Sequence, residues 1–356
     1  MTLESIAAAI GVLALVILVH ELGHFLVAKR CNTEVQVFSI GFGPKLFSFV
    51  RGETEYRISL IPVGGYVRMA GELEEFAPKV PGRGFPERPL AQRSAIVAAG
   101  PAVNLLFAFV VFTFVMLFYG KQVPGEQALI GGVLEDSPAA VGGLQTDDTV
   151  IAIDGEPISS WDELYERVVS SEGRTLALTV LSPDGETREV SVTPESRPRY
   201  DYLGEETGES YVIGVQRGLE RHSVGLIEAV NLGARYTWMW TSIIAETLWR
   251  LVQGRLAISD LGGPIMIAQE AGRRAQNGLE PLLHFMALLS VNLGIINILP
   301  IPGLDGGHLL FFSFEGLRGR PMPDRARELV QQMGVLVLVA LMILVVFNDI
   351  SRMVGG

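Results

Sequence analysis

The chain has 356 residues, 49% of them hydrophobic, and a formal net charge of -11. The apolar residues gather in a few long runs and the mean hydropathy is positive, which excludes a wholly soluble chain and indicates a membrane protein with a soluble insert. The acidic balance argues against nucleic acid as partner, and Cys31, the only cysteine, excludes an intrachain disulfide.

The first run, Ile6 to Ala28, is long enough to span a bilayer. Glu4 precedes it and no Lys or Arg does, so it does not read as a cleavable signal peptide. Inside it stands "VHELGHF", residues 19 to 25. On a helix, positions i and i+4 face the same way, so His20 and His24 can offer two imidazoles to one ion. Glu21 projects beside them, where it can take a proton from a bound water. Ionisable side chains within a span are costly and mark function.

Residues 35 to 70 alternate apolar and polar types between Gly and Pro, a pattern of two short hairpins, with residues 53 to 69 offering an exposed strand edge. Residues 71 to 93 read as an irregular loop, and a second span runs from Ala95 to Phe118. From 126 to 195, strand-like runs surround one helical stretch, "SWDELYERVVSS". Residues 224 to 252 are apolar, but Glu228, Asn231, Arg235, Ser242, Glu246, Arg250 and Gln253 form one stripe, which suits an interfacial helix.

Two further spans follow, Leu282 to Leu299 and Val335 to Phe347. The first ends in "NILPIPGLDGGHLL", residues 297 to 310, where Pro300 and Pro302 break the helix. Backbone irregularity at that depth is tolerated only inside protein or beside a cavity. Catalytic zinc takes three protein ligands and keeps one position for water. Asp305 is the expected third ligand, with His308 as runner-up and His222 and His284 as the other histidines. Lys and Arg cluster between spans one and two and before the last span, so those segments are expected in the cytoplasm and residues 120 to 280 outside. For Asp305 to share the depth of His20 and His24, only one outward crossing can separate them, so residues 224 to 252 should not cross.

With these motifs the chain resembles the site-2 protease family of intramembrane zinc metalloproteases, in its bacterial regulator-of-sigma-E subgroup. "HELGH" and "NILPIPGLDGG" carry the resemblance, supported by "GFGP" (41 to 44), "GGYV" (64 to 67), "AGPAVNLLFA" (99 to 108) and "LGGPI" (261 to 265). The resemblance implies a Zn2+ ion on His20, His24 and Asp305, Glu21 as general base, and Asn297 in contact with substrate or transition state. Asn104 fits a GPxxN pattern, as a catalytic group or an interhelical hydrogen bond. "GGVLEDSPAAVGGLQTDDTVIAIDGEPISSWDELYERV" resembles a PDZ domain, which implies a peptide ligand added as a strand, or a cover over the site.

The expected fold is a polytopic α-helical membrane protein with about four transmembrane helices, a cytoplasmic-side β-hairpin region and one extracytoplasmic PDZ-like α+β domain. Its segments are 1–120 with HExxH and the hairpins, 121–200 PDZ-like, 201–280 linker and interfacial helix, and 281–356 with the second motif. The implied partners are single-pass transmembrane substrates and the lipid bilayer, and the implied location is a bacterial inner membrane. The competing readings are an inactive PDZ-bearing scaffold, which would have no use for Glu21, and a zinc transporter, for which the other spans supply almost no ionisable residues.

Overall fold

The structure is a computed structural model that describes residues 3–72, 77–200, 206–256 and 262–355. Parts of the 71–93 loop, and Leu261 of "LGGPI", lie outside the described residues. The chain forms two compact units, Met1–Phe118 with Gly225–Gly356, and Tyr119–Val224.

The first unit begins with α1 (Leu3–Arg30), whose last turn carries Lys29 and Arg30 against the negative end of the helix dipole. Two long strands follow, β1 (Val35–Arg51) and β2 (Thr54–Met69), then α2 (Leu90–Tyr119) with Pro101 inside it. The strands correct the expectation of two separate hairpins. Phe38 pairs with both Val67 and Tyr56, Ser39 with both Tyr66 and Arg57, and Tyr56 also with Phe49. The ladder therefore has four segments in the order 65–69, 35–40, 54–59, 45–51. Residues 54 to 59 are interior, and the open edges are 65–69 and 45–51.

This also corrects the edge assigned to residues 53 to 69. A period of two identifies strands and their faces, but it does not say which strand lies inside a sheet. Ile58 is paired with Ile40 on one side and Phe47 on the other, so it offers no free ladder groups to another chain. The edge nearer to α1 is 65–69. Behind the loop, Arg83 donates to both carboxylate oxygens of Glu53, at 2.7 and 2.9 Å, and Lys29 donates to Glu53 at 2.7 Å, which ties the loop, the sheet and the end of α1 together.

The second unit contains β3 (Lys121–Pro124), β4 (Ile130–Val133), α3 (Pro138–Gly142), β5 (Thr149–Ile153), β6 (Glu156–Pro157), α4 (Trp161–Val169), β7 (Leu176–Leu181) and β8 (Thr187–Val192). It ends with β9 (Glu195–Tyr200), β10 (Glu206–Val212), β11 (Val215–Arg217) and β12 (Leu219–His222). A four-stranded sheet runs β6-β5-β7-β8, and β4 pairs with β11. Helix α4 is started by Ser160, whose side chain accepts from Glu163 N–H, and it turns Leu164 and Val168 into a core with Ile153, Leu178 and Val180.

The chain returns to the first unit with α5 (Leu226–Val252) and α6 (Pro264–Gln276). It ends with α7 (Leu279–Ile298), α8 (Asp305–Arg318) and α9 (Asp324–Gly355). Among the described residues, four helices are long and apolar enough to cross a membrane: Ser5–Arg30, Leu90–Tyr119, Leu279–Ile298 and Arg325–Met353. At most 39% of any of their apolar windows is covered by protein, and only 6% in the last, so most of that surface needs lipid. Helix α5 is not one of the four. It packs by Gly233 against Thr113 of α2 and by Tyr236 between Phe112 and His284, and leaves Trp238, Ile243 and Trp249 exposed.

Helix α6 has no side chain of its own to cap its start. Asp349, buried near the far end of α9, takes that place: its carboxylate accepts from the N–H groups of Gly263 (3.0 Å), Ile265 (3.0 Å) and Met266 (3.3 Å). An anion there also faces the positive end of the helix dipole.

Candidate metal centre

One helical turn separates His20 and His24 on α1, and both rings are buried. Helix α2 crosses them at Gly100, where a Cβ would lie 2.4 Å from His24 Nε2 and 2.8 Å from His20 Cε1. Glycine at 100 is what lets two imidazoles fit between the helices. The third group comes from the break after α7. Asp305 opens α8, and the turn from Ile298 to Gly306 is so tight that a Cβ at Gly306 would meet the Leu299 and Ile298 carbonyl oxygens at 2.1 and 2.2 Å. The sequence DGG is thus the form in which a carboxylate can head a helix folded back on the preceding one.

His20 Nε2 and His24 Nε2 lie 3.1 Å apart, and Asp305 Oδ2 lies 3.1 Å from the first and 3.4 Å from the second. An ion about 2.1 Å from each of three tetrahedral ligands holds them about 3.4 Å apart, so the triangle is the right size for one face of a tetrahedral site. Asp305 Oδ2 is buried and accepts no hydrogen bond, an orphan that a cation at the centre of the triangle would satisfy. The outer nitrogens of the rings are also engaged by α2: His24 Nδ1 is 2.9 Å from the Ile96 carbonyl oxygen and His20 Nδ1 is 3.2 Å from Asn104 Nδ2.

Glu21 leans the other way, toward the sheet. Its Oε2 accepts from the Val67 N–H at 3.1 Å, and Glu72 accepts from the Met69 N–H at 3.0 Å. These outward donors of the open edge at 65–69 are thus met by carboxylates. A cavity of about 250 Å³ gathers His20, Glu21, His24, Val67, Glu72, Asn297, Asp305 and His308. A second, of about 360 Å³, shares Glu72, Phe85 and His308 with it and continues past Arg93 and Glu315 toward the start of α9.

The structure therefore brings His20, Glu21, His24, Asn297 and Asp305 to one cavity, with His308 on its wall and outside the triangle. His222 pairs with Glu220 in the second unit, and His284 is stacked among Phe112 and Tyr236, so neither joins the cluster. Sequence reasoning passed over Gly100, the Ile96 carbonyl, and Glu72. Gly100 had a signal, since it precedes Pro101 in "AGPAVN", where a helix rarely carries both residues. A backbone carbonyl carries none.

The model of peptidase family M50 matches residues 8–341. A zinc metalloprotease RasP of Geobacillus kaustophilus is 33% identical, over 99% of this chain and 99% of its own length. The regulator of sigma-W protease RasP of Bacillus subtilis is 31% identical, over 99% of this chain and 100% of its own. Among solved structures, the PDZ domain of an SdrC-like protein from Listeria innocua matches 28% of this chain and all of that one, at 24% identity and a TM-score of 0.21.

Proposed function

The chain belongs to peptidase family M50, the site-2 proteases, and from that premise we propose that it is a zinc metalloprotease cutting peptide bonds within the membrane, with His20, His24 and Asp305 as its zinc ligands. The observation that carries this reading is the triangle of two imidazoles and one carboxylate, sized for a tetrahedral ion, beside the carboxylate of Glu21 on a membrane-spanning helix.

Zinc bound there would supply Lewis acidity and draw the pKa of a bound water down to about 7. Glu21 serves as the base that accepts the water's proton and then returns it to the leaving amine. Asn297, on the same cavity, contacts the substrate or transition state through its amide. The open edge at 65–69 receives the substrate. A peptide bond inside a transmembrane helix has its carbonyl already hydrogen-bonded, so it must unwind before attack, and an added strand returns the lost hydrogen bonds. The N–H groups of Val67 and Met69 face that way and supply the donors.

The substrates are single-pass membrane proteins already shortened on the outer side, of the anti-sigma-factor or signal-peptide-remnant class. Support comes from the name of the Bacillus subtilis relative, a regulator of sigma-W. The protein lies in a bacterial inner membrane with the Lys- and Arg-rich sheet and loop in the cytoplasm. Residues 121–200 form a PDZ-like domain on the outer side that binds a peptide, between the segments 1–120 and 201–280 of the chain, and α5 lies in the outer interface. The segment 281–356 supplies Asp305 and Asn297. The test is the purified chain in detergent, assayed for zinc content and for cleavage of a fused model transmembrane segment. One zinc per chain with cleavage supports the reading, and a metal-free or inert preparation refutes it.

A further inference from the structure

The two metal-facing histidines do not have equivalent surroundings, and the difference points to a residue with a task. To bind a cation through Nε2, a neutral imidazole must carry its proton on Nδ1, and the group that accepts from Nδ1–H decides which form is present. For His24 that acceptor is the Ile96 carbonyl, 2.9 Å away. A backbone carbonyl only accepts, so His24 is locked in the metal-binding form. For His20 the neighbour is the Asn104 carboxamide, with Nδ2 at 3.2 Å. In that orientation the amide donates, Nδ1 is the lone-pair end, and the proton sits on Nε2, 3.1 Å from Asp305 Oδ2. With its proton on Nε2, the ring has no lone pair there to offer a cation.

Asn104 is wholly buried, and its Oδ1 has no hydrogen-bond partner. A carboxamide carries a donor and an acceptor at nearly equal reach, so a half-turn about its last bond exchanges them. After that turn Oδ1 accepts from His20 Nδ1–H, and Nε2 presents its lone pair beside His24 Nε2 and Asp305 Oδ2. We propose that Asn104 is the positioning residue of the metal centre: its carboxamide oxygen accepts the Nδ1 proton of His20 and so sets that ring in the metal-binding form, as the Ile96 carbonyl does for His24. Both outer partners come from α2, two turns apart, on the face that Gly100 opens to the rings. Only one of them is a side chain, so half of the metal centre's outer support can be altered by substitution. This rests on the zinc reading above, and the stoichiometric zinc of the unaltered chain is the reference for its test.

The experiment compares the full chain in detergent with Asn104→Leu, Asn104→Ala and Asn104→Asp. Zn2+ affinity is measured by competition with a chromophoric chelator, Co2+ absorption reports the ligand geometry, and thermal unfolding reports the fold. Leu keeps the volume without an acceptor, Ala removes the acceptor without adding bulk, and Asp keeps an acceptor at the same reach. The expected result is a loss of at least about tenfold in Zn2+ affinity and a weakened Co2+ band for whichever of the two apolar variants folds, with Asn104→Asp within about threefold of the unaltered chain. Wild-type affinity in a folded apolar variant overturns the proposal, and so does a loss in Asn104→Asp equal to that in the apolar ones, which would reduce Asn104 to an interhelical packing group.

Discussion

Replacing Val67 by Pro separates recognition of the substrate strand from the integrity of the sheet. The Val67 N–H points out of the sheet to Glu21, so its removal takes no bond from the ladder, and an outward position on an edge strand is where Pro is tolerated. If a substrate strand pairs there, the variant loses one ladder hydrogen bond, worth about 0.5–1.5 kcal/mol net. At 1.36 kcal/mol per factor of ten, kcat/KM should fall by about 2- to 13-fold for a substrate with a stable helical segment. For a substrate whose segment already contains Gly or Pro near the cut, less unwinding has to be stabilised and the loss should shrink. Because Val67 N–H also holds Glu21, a misplaced base would lower both substrates equally, and the ratio of the two tells these causes apart. Ile58→Pro serves as contrast: it breaks an interior segment paired on both sides and should cost folding itself. The assay is a gel-based kinetic comparison of the two substrates in detergent, with zinc content and far-ultraviolet circular dichroism as controls. Equal losses for stable and pre-broken helices in a folded, zinc-loaded Val67→Pro enzyme would refute strand addition at this edge.

Glu21→Gln should abolish cleavage and keep zinc near one per chain, because its carboxylate lies outside the ligand triangle; measured turnover above a few per cent of the unaltered enzyme would remove it as base. Asp305→Ala should lose zinc together with activity, whereas His308→Ala should retain the metal, and the reverse pattern would exchange their roles. Asp349→Ala strands three N–H groups at the start of α6 and should destabilise the protein by about 2–4 kcal/mol, from the lost cap and at least one unsatisfied donor. An unchanged thermal midpoint would show that water replaces the carboxylate at no cost.

The spans and the meeting of His20, His24 and Asp305 were legible because each rests on a short-range rule. Apolar runs of about twenty residues set the helices, the i, i+4 spacing of His20 and His24 sets their common face, and two prolines before Asp305 end a helix at the required depth. The position of the sheet edge was not legible. Residues 54 to 59 and 65 to 69 share the same alternation, and only the long-range pairing of residues 35 to 40 with both shows which is enclosed. Asp349 escaped notice for a related reason: a lone Asp near the end of an apolar helix looks like an interfacial anchor until its three donors appear from a segment 86 residues earlier.

That distance in sequence has a consequence for biosynthesis. Helix α6 lies along α1, with Gly272 against Ser5, so it forms part of the wall beside the helix that bears both histidines. Its first turn has no side-chain cap of its own, and the carboxylate that completes it stands in α9, later in the chain than His20, Glu21, His24 and Asp305. A chain grown only as far as α8 already contains His20, Glu21, His24 and Asp305 but not the carboxylate that completes α6. A chain interrupted in α9 before Asp349 keeps those four groups and lacks the cap on α6, so the order of the helix beside α1 is coupled to the synthesis of α9.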